Sequence, residues 1–159
     1  MPATYDCIAT TTLGSAQGSV TFSSIPSTFT DLVLVISTRT SGGNAMTYQL
    51  NTDSTASNYS QTALGGDGST AFSFRQSLNT LGAANSSAFN VYRFNFQNYS
   101  NTTTFKTVLA SGGNASADVR SAVSLWRNTS AINQIILAMF SGETFQSGST
   151  FTLYGIKSA

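Results

Sequence analysis

Apolar and polar residues alternate with a period of two along most of this chain, and no stretch sustains a helical period. Val20 and Phe22 alternate with Ser19, Thr21 and Ser23. Phe72 and Phe74 alternate with Ser73 and Arg75, and Tyr92, Phe94 and Phe96 alternate with Arg93, Asn95 and Gln97. Val119, Val123 and Leu125 share one face of the segment from Asp118 to Trp126. Each pattern predicts a strand whose apolar face lies in a core and whose other face meets solvent or a partner. Two runs are apolar on both faces, Leu32-Val33-Leu34-Val35-Ile36 and Ile135-Ile136-Leu137-Ala138-Met139-Phe140. Such runs suit central strands, or strands covered on their outer face by a neighbouring subunit.

Turn chemistry separates these segments at Ile25-Pro26-Ser27, Ser41-Gly42-Gly43-Asn44, Gly65-Gly66-Asp67-Gly68, Ser111-Gly112-Gly113-Asn114 and Gln146-Ser147-Gly148. The punctuation predicts about nine or ten short strands at near-regular spacing, the pattern of a sandwich or jelly roll. Both prolines fall outside the strand runs, where they remove no ladder hydrogen bond. The polar, small-residue stretches 52–60 and 82–88 are expected to be exposed loops. The fold class expected is thus all-β, a single-domain jelly-roll-like antiparallel β-sandwich spanning residues 1–159.

Composition narrows the function more than the fold. A chain of 159 residues can bury roughly 70% of its unfolded surface, so it needs neither metal nor disulfides for stability. Only 8% of the residues are charged; Ser, Thr, Asn and Gln supply the polar half of the pattern. The net charge is +1, from seven basic and six acidic residues scattered singly. Nucleic-acid binding is not expected, because it needs clustered Lys and Arg to displace counterions. No run approaches the roughly 20 apolar residues of a membrane helix, so no membrane partner is expected, and the start Met1-Pro2-Ala3-Thr4 has no secretory pattern. Synthesis in a host cytoplasm is therefore the expectation. The Asn-X-Ser/Thr triplets at Asn58, Asn85, Asn98, Asn101, Asn114 and Asn128 reflect the Ser/Thr-rich composition rather than glycosylation. The single cysteine, Cys7, lies in an alternating apolar segment and reads as a buried structural thiol.

Histidine is absent. With it go the usual general base, the Ser-His and Cys-His nucleophile pairs and the commonest metal ligand. One cysteine cannot build a sulfur-rich metal site, and Gly65-Gly66-Asp67-Gly68 lacks the ending of a phosphate loop. A pair of carboxylates is the catalytic option left, from Asp6, Asp31, Asp53, Asp67, Asp118 and Glu143, but no spacing selects a pair. No enzyme activity, catalytic residue, cofactor or metal is expected. Asn51, Asp53, Thr55 and Ser57 place oxygens at alternate positions, as a calcium loop does, yet one carboxylate is thin for calcium. A polar loop with side-chain-to-backbone hydrogen bonds is the favoured reading. Tyr48, Tyr59, Tyr99 and Trp126 are the candidates for a sugar platform. Tyr59 and Tyr99 follow Asn in polar stretches and could be exposed, although aromatics in a sandwich more often fill the core or an interface.

Strands with so little charge leave sheet edges without their usual protection. Burial in a symmetric oligomer is one solution, since interface cores are depleted in charge. The order of segments also resembles a known family. Phe22-Ser23-Ser24-Ile25-Pro26-Ser27-Thr28-Phe29-Thr30-Asp31-Leu32-Val33-Leu34 resembles the opening of a domain that recurs in tailed-bacteriophage structural proteins, an aromatic-flanked Ile-Pro turn leading into an Asp-Leu strand that ends near Arg39. Leu50-Asn51-Thr52-Asp53, Asn58-Tyr59-Ser60, Asn98-Tyr99-Ser100 before Phe105-Lys106-Thr107, and the closing Gly148-Ser149-Thr150-Phe151-Thr152-Leu153-Tyr154-Gly155-Ile156-Lys157 are similar to the same family in the same order.

The resemblance covers nearly the whole chain and implies a jelly-roll sandwich without catalytic residues. It implies a capsid cement or decoration protein, a homotrimer on the outer capsid surface that binds the major capsid protein and stabilises the head. The lack of any shaft or anchoring segment before the sandwich favours that reading. The alternative it implies is a tail-fibre or tail-associated receptor-binding component, with a host glycan as ligand.

Overall fold

The computed structural model describes residues 4–83, 87–114 and 116–157, with 81–83 described by their backbone alone. Twelve strands run through the described residues: β1 (Tyr5–Thr12), β2 (Ser19–Phe22), β3 (Asp31–Thr38), β4 (Ala45–Leu50), β5 (Tyr59–Gly66), β6 (Ala71–Gln76), β7 (Thr80–Ala83), β8 (Asn90–Phe96), β9 (Lys106–Gly113), β10 (Val119–Trp126), β11 (Ile135–Met139) and β12 (Thr150–Ile156). They form an eight-stranded sheet in the order β1-β12-β3-β8-β9-β10-β5-β6 and a four-stranded sheet in the order β2-β11-β4-β7. Every pairing is antiparallel. The antiparallel β-sandwich expected from the alternation is therefore the fold, with more and shorter strands than the turn signals indicate.

The two doubly apolar runs become interior strands, β3 between β12 and β8 and β11 between β2 and β4. Asp31 opens β3, where its Oδ1 accepts a 2.6 Å hydrogen bond from the Asn98 backbone N–H. One buried cluster joins the sheets. Leu32, Leu34 and Ile36 of β3, Phe94 and Phe96 of β8, and Leu137 of β11 are essentially inaccessible. The rings meet edge to face, with Tyr48 of β4 at 5.7 Å from Phe94 and 6.2 Å from Phe96, an arrangement that adds to area burial.

Beside these large side chains, Ala110 of β9, Ala122 of β10 and Ala63 of β5 continue the inward row. Small residues are needed there because β7 lies over β9 and β10. This reverses the expected facing of β10. Ala122, Ser124 and Trp126 point into the core, while Val119 and Val123 are 65% and 50% exposed. The valines lie outward because the inward positions have no room for them.

Three smaller expectations also change. Cys7 is exposed: β1 carries a bulge between Cys7 and Ala9, and the resulting phase turns Ile8 toward the core and the thiol outward, 3.5 Å from the Thr10 hydroxyl. Ser111-Gly112-Gly113 belongs to β9, and the turn begins only at Asn114. In the stretch 52–60, Tyr59 and Ser60 start β5, and in 82–88 residues 82 and 83 end β7 while 84–86 lie outside the described residues. Among the described residues no helix is long and apolar enough to cross a membrane.

The segment before β3 is seated on β12. The Tyr99 hydroxyl donates to the carbonyl of Pro26 and accepts from Phe29 N–H at 3.4 Å, and the Phe29 ring lies over Gly155. Two segments far apart in the sequence, the aromatic after Ile25-Pro26 and the glycine of Tyr154-Gly155-Ile156, are thus one contact.

Candidate functional site

β4 ends in a left-handed turn, with Asn51 and Thr52 at φ 51° and 64°. Asn tolerates this region better than most residues, and its side chain adds anchors. The Asn51 carboxamide donates to Ala131 O at 2.7 Å and accepts from Asn133 and Gln134 N–H at 2.9 and 3.1 Å. The turn brings Asp53 beside the end of β10. Its Oδ2 accepts from Trp126 Nε1 at 2.7 Å and from Asn58 Nδ2 at 2.8 Å, and its Oδ1 from Thr55 N–H at 3.0 Å. Beneath it, the Tyr59 hydroxyl donates to the Asp53 carbonyl at 2.9 Å and accepts from Leu50 N–H at 3.1 Å. The Tyr59 ring stacks on Trp126 at 6.5 Å.

Desolvation tends to raise the Asp53 pKa, but the bonds from Trp126, Asn58 and Thr55 outweigh it and hold the carboxyl below its ordinary value. Burial pushes the Tyr59 phenol up to about 12, so it stays a neutral donor. The result is an ionised carboxylate held rigidly at a surface.

Asp53 also lines a pocket of 240 Å³ on the outer side of the four-stranded sheet. Thr47 and Gln49 of β4 form its floor, Asp53, Ser54 and Ala56 one wall, and Leu78, Asn79 and Phe140 the other. Phe140 is 50% exposed. The carboxamides of Gln49 and Asn79 make no hydrogen bond among the described residues; the Asn79 backbone carbonyl accepts from Tyr48 N–H at 3.2 Å and so fixes the loop.

All four aromatics considered as sugar platforms are buried, Tyr59 and Tyr99 at 2% and 0% exposure and Tyr48 and Trp126 at 2% and 1%. Tyr59 and Trp126 instead support Asp53 from below. The four oxygen-bearing residues of the calcium-like pattern do not converge. Asn51 is engaged with the segment before β11, and Asp53 holds Thr55, Asn58 and Trp126. This is the loop of side-chain-to-backbone hydrogen bonds expected from the sequence. Phe140 and the unengaged amides were not legible as a site, because residues from β4, the β6–β7 loop and the end of β11 meet only in the fold.

The other carboxylates are dispersed. Asp6 pairs with Lys157, Asp118 with Arg120 at 2.6 Å, and Glu143 accepts from Asn44 Nδ2 at 2.6 Å. Asp67 caps its turn through Thr70 and Ser69 N–H, which lower its pKa to about 2. No group of three or more potential metal-ligating side chains occurs among the described residues.

The opposite surface has a different character. Along the outward row Val35, Arg93, Ser111, Ser121, Leu64, Ser73, cross-strand partners follow one another from β3 to β6. Neighbouring rows add exposed Val91, Val119, Leu109 and Val123. Of the outward strand positions of this sheet, only Asp31, Arg75 and Arg93 carry charge. At one end, Val91 and Val119 flank a depression of 610 Å³ closed by the β5–β6 and β9–β10 turns. On the other flank, Thr10 and Thr12 of β1 meet Thr152 and Thr150 of β12 in hydroxyl pairs at 3.2 and 3.3 Å.

No protein-family model and no curated protein matches the chain. Among solved structures it is similar to an exo-inulinase from Aspergillus awamori, with a TM-score of 0.51 and 15% identity over 96% of this chain and 29% of that one. The chain therefore spans less than a third of the inulinase, and the likeness shows a shared sandwich fold alone. A galectin of Caenorhabditis elegans aligns with a TM-score of 0.41 and 12% identity, over 88% of this chain and 94% of the galectin.

Proposed function

We propose that this protein is a non-enzymatic structural component of a bacteriophage particle, assembling through the outer face of its eight-stranded sheet as a homotrimer on the outer capsid. The observation that carries the reading is that face. Seven of its outward side chains are large, apolar and exposed: Tyr5, Val35, Leu64, Val91, Leu109, Val119 and Val123.

Eight strands about 4.8 Å apart span roughly 38 Å, and three outward rows cover roughly 20 Å along the strands. The face thus measures about 800 Å², the area each partner contributes to a standard interface. Its near absence of charge suits a surface that stays covered. The phage-like order of sequence segments supplies the particle as the setting. The dispersal of the carboxylates, each engaged with its own partner, supports a role without catalysis.

Localisation on intact particles tests the proposal, by immunogold labelling or a cryo-EM map. Regular density over the head, touching the major capsid protein, is the expected result. Signal confined to the tail would replace the capsid role with a tail-fibre role. Absence from the particle would end both.

A further inference from the structure

We infer that the Asp53 pocket on the four-stranded sheet is a binding site for a neutral saccharide. It belongs to the layer opposite the proposed assembly face, so it stays open whether or not that face is covered, and the inference does not rest on the assembly reading.

The argument begins with the polar groups. Gln49 alternates with buried Tyr48 and Leu50, so its carboxamide is directed to the outer side of β4. Asn79 is held by its backbone bond to Tyr48. Each carboxamide offers two donors and an acceptor, and neither is engaged among the described residues. Asp53 adds an acceptor-only group in a fixed orientation, with bonds from Trp126 and Asn58 on Oδ2 and a single bond on Oδ1. A carboxylate oxygen accepts more than one hydrogen bond, so Oδ1 retains capacity. Two donor–acceptor amides beside one pure acceptor match adjacent hydroxyl groups, each of which donates once and accepts.

The apolar groups complete the chemistry. Phe140, 50% exposed, and Leu78, 37% exposed, stand on one wall. Together they offer an apolar surface to the C–H face of a sugar ring while the amides and Asp53 meet its edge. Asp53 is the only charged side chain among the lining residues, the Tyr59 phenol staying neutral, so an anionic ligand would be repelled. A bare cation would find a single carboxylate, where coordination draws on several charged oxygens. A neutral polyhydroxylated ring uses every unengaged group, and the volume of 240 Å³ suits one ring rather than an extended chain.

The test is ligand-observed and chemical-shift NMR on the full chain, with D-glucose, D-galactose, D-mannose and N-acetyl-D-glucosamine as probes. At least one is expected to receive saturation from the protein and to shift the amides of Gln49, Asp53 and Asn79. Q49A, N79A and F140A each alter a partly exposed side chain. Each is expected to weaken binding about tenfold or more while leaving the amide spectrum otherwise folded. L64E, on the other sheet, is expected to bind as the unaltered protein does. The inference is overturned if none of the four sugars transfers saturation, or if the three variants bind unchanged. Calcium chloride or N-acetyl-lysine amide shifting the same amides where no sugar does would overturn it too, and would reassign the pocket to cations.

Discussion

The Asp53 carboxylate shows how one residue ties loop, strand and pocket together. Its bond from Trp126 spans 73 residues of sequence and fastens the β4–β5 loop to the end of β10. Trp126→Phe keeps the stacked ring but removes the N–H. Hydrogen bonds to charged groups contribute about 1.5–3 kcal/mol, so the variant is expected to lose stability of that order in urea unfolding. NMR titration is expected to show its Asp53 pKa rising toward the ordinary value. The pH dependence has a definite sign. A carboxyl whose folded pKa lies below its unfolded value stabilises the fold above the unfolded value, and that contribution is lost as pH falls through the folded one. Asp53 and Asp67 both lie below the ordinary 3.8, Asp67 at about 2. Stability is therefore expected to fall between those values on acidification. The acid limb should be shallower in Trp126→Phe, and an unchanged limb would mean that the Trp126 bond does not set the Asp53 pKa.

At the scale of elements, the sequence announces strands more readily than it announces which way they face. Val20, Phe22, Tyr92, Phe94 and Phe96 are buried as their alternation indicates. β10 breaks the rule because its inward positions are filled by Ala122 and Ser124, under β7, and its valines look outward. Apolar side chains are not obliged to be inside, and alternation alone cannot say which sheet a strand will meet. The Asp53 pocket was legible only in part for a related reason. Asp53, Tyr59 and Trp126 were identifiable as residues of interest, but their division into one surface group and two buried supports depends on where β5 and β10 pair. Gly155 is a position where the consequence can be measured. A methyl group there would overlap the ring carbons of Phe29, and the clash is with the base of the ring rather than a mobile tip. Gly155→Ala is expected to destabilise by about 1–3 kcal/mol, as overpacking does. Much of the loss should return in the Gly155→Ala, Phe29→Ala double variant measured against Phe29→Ala alone, which urea unfolding of the three proteins would show.

For the whole molecule, the two outer surfaces make opposite demands on chemistry. The four-stranded sheet offers a small polar pocket, whereas the eight-stranded sheet offers a broad, nearly uncharged surface with a depression at one end. If the exposed valines and Leu64 served folding alone, charging them would disturb the fold. They lie outside the core, so the double variant Leu64→Glu, Val123→Glu is expected to unfold within about 0.5 kcal/mol of the unaltered protein, as surface substitutions do. Two carboxylates in the middle of a covered apolar face would instead be buried without partners, which opposes association strongly. Sedimentation velocity at micromolar concentration is expected to show an oligomer for the unaltered chain and a monomer for the double variant, with the same unfolding curve at matched dilution. A monomer in both would remove self-association through this face and leave only its proposed contact with a capsid to test. An oligomer in both would place the subunit contact on another surface, with the threonine-rich flank of β1 and β12 the next to alter.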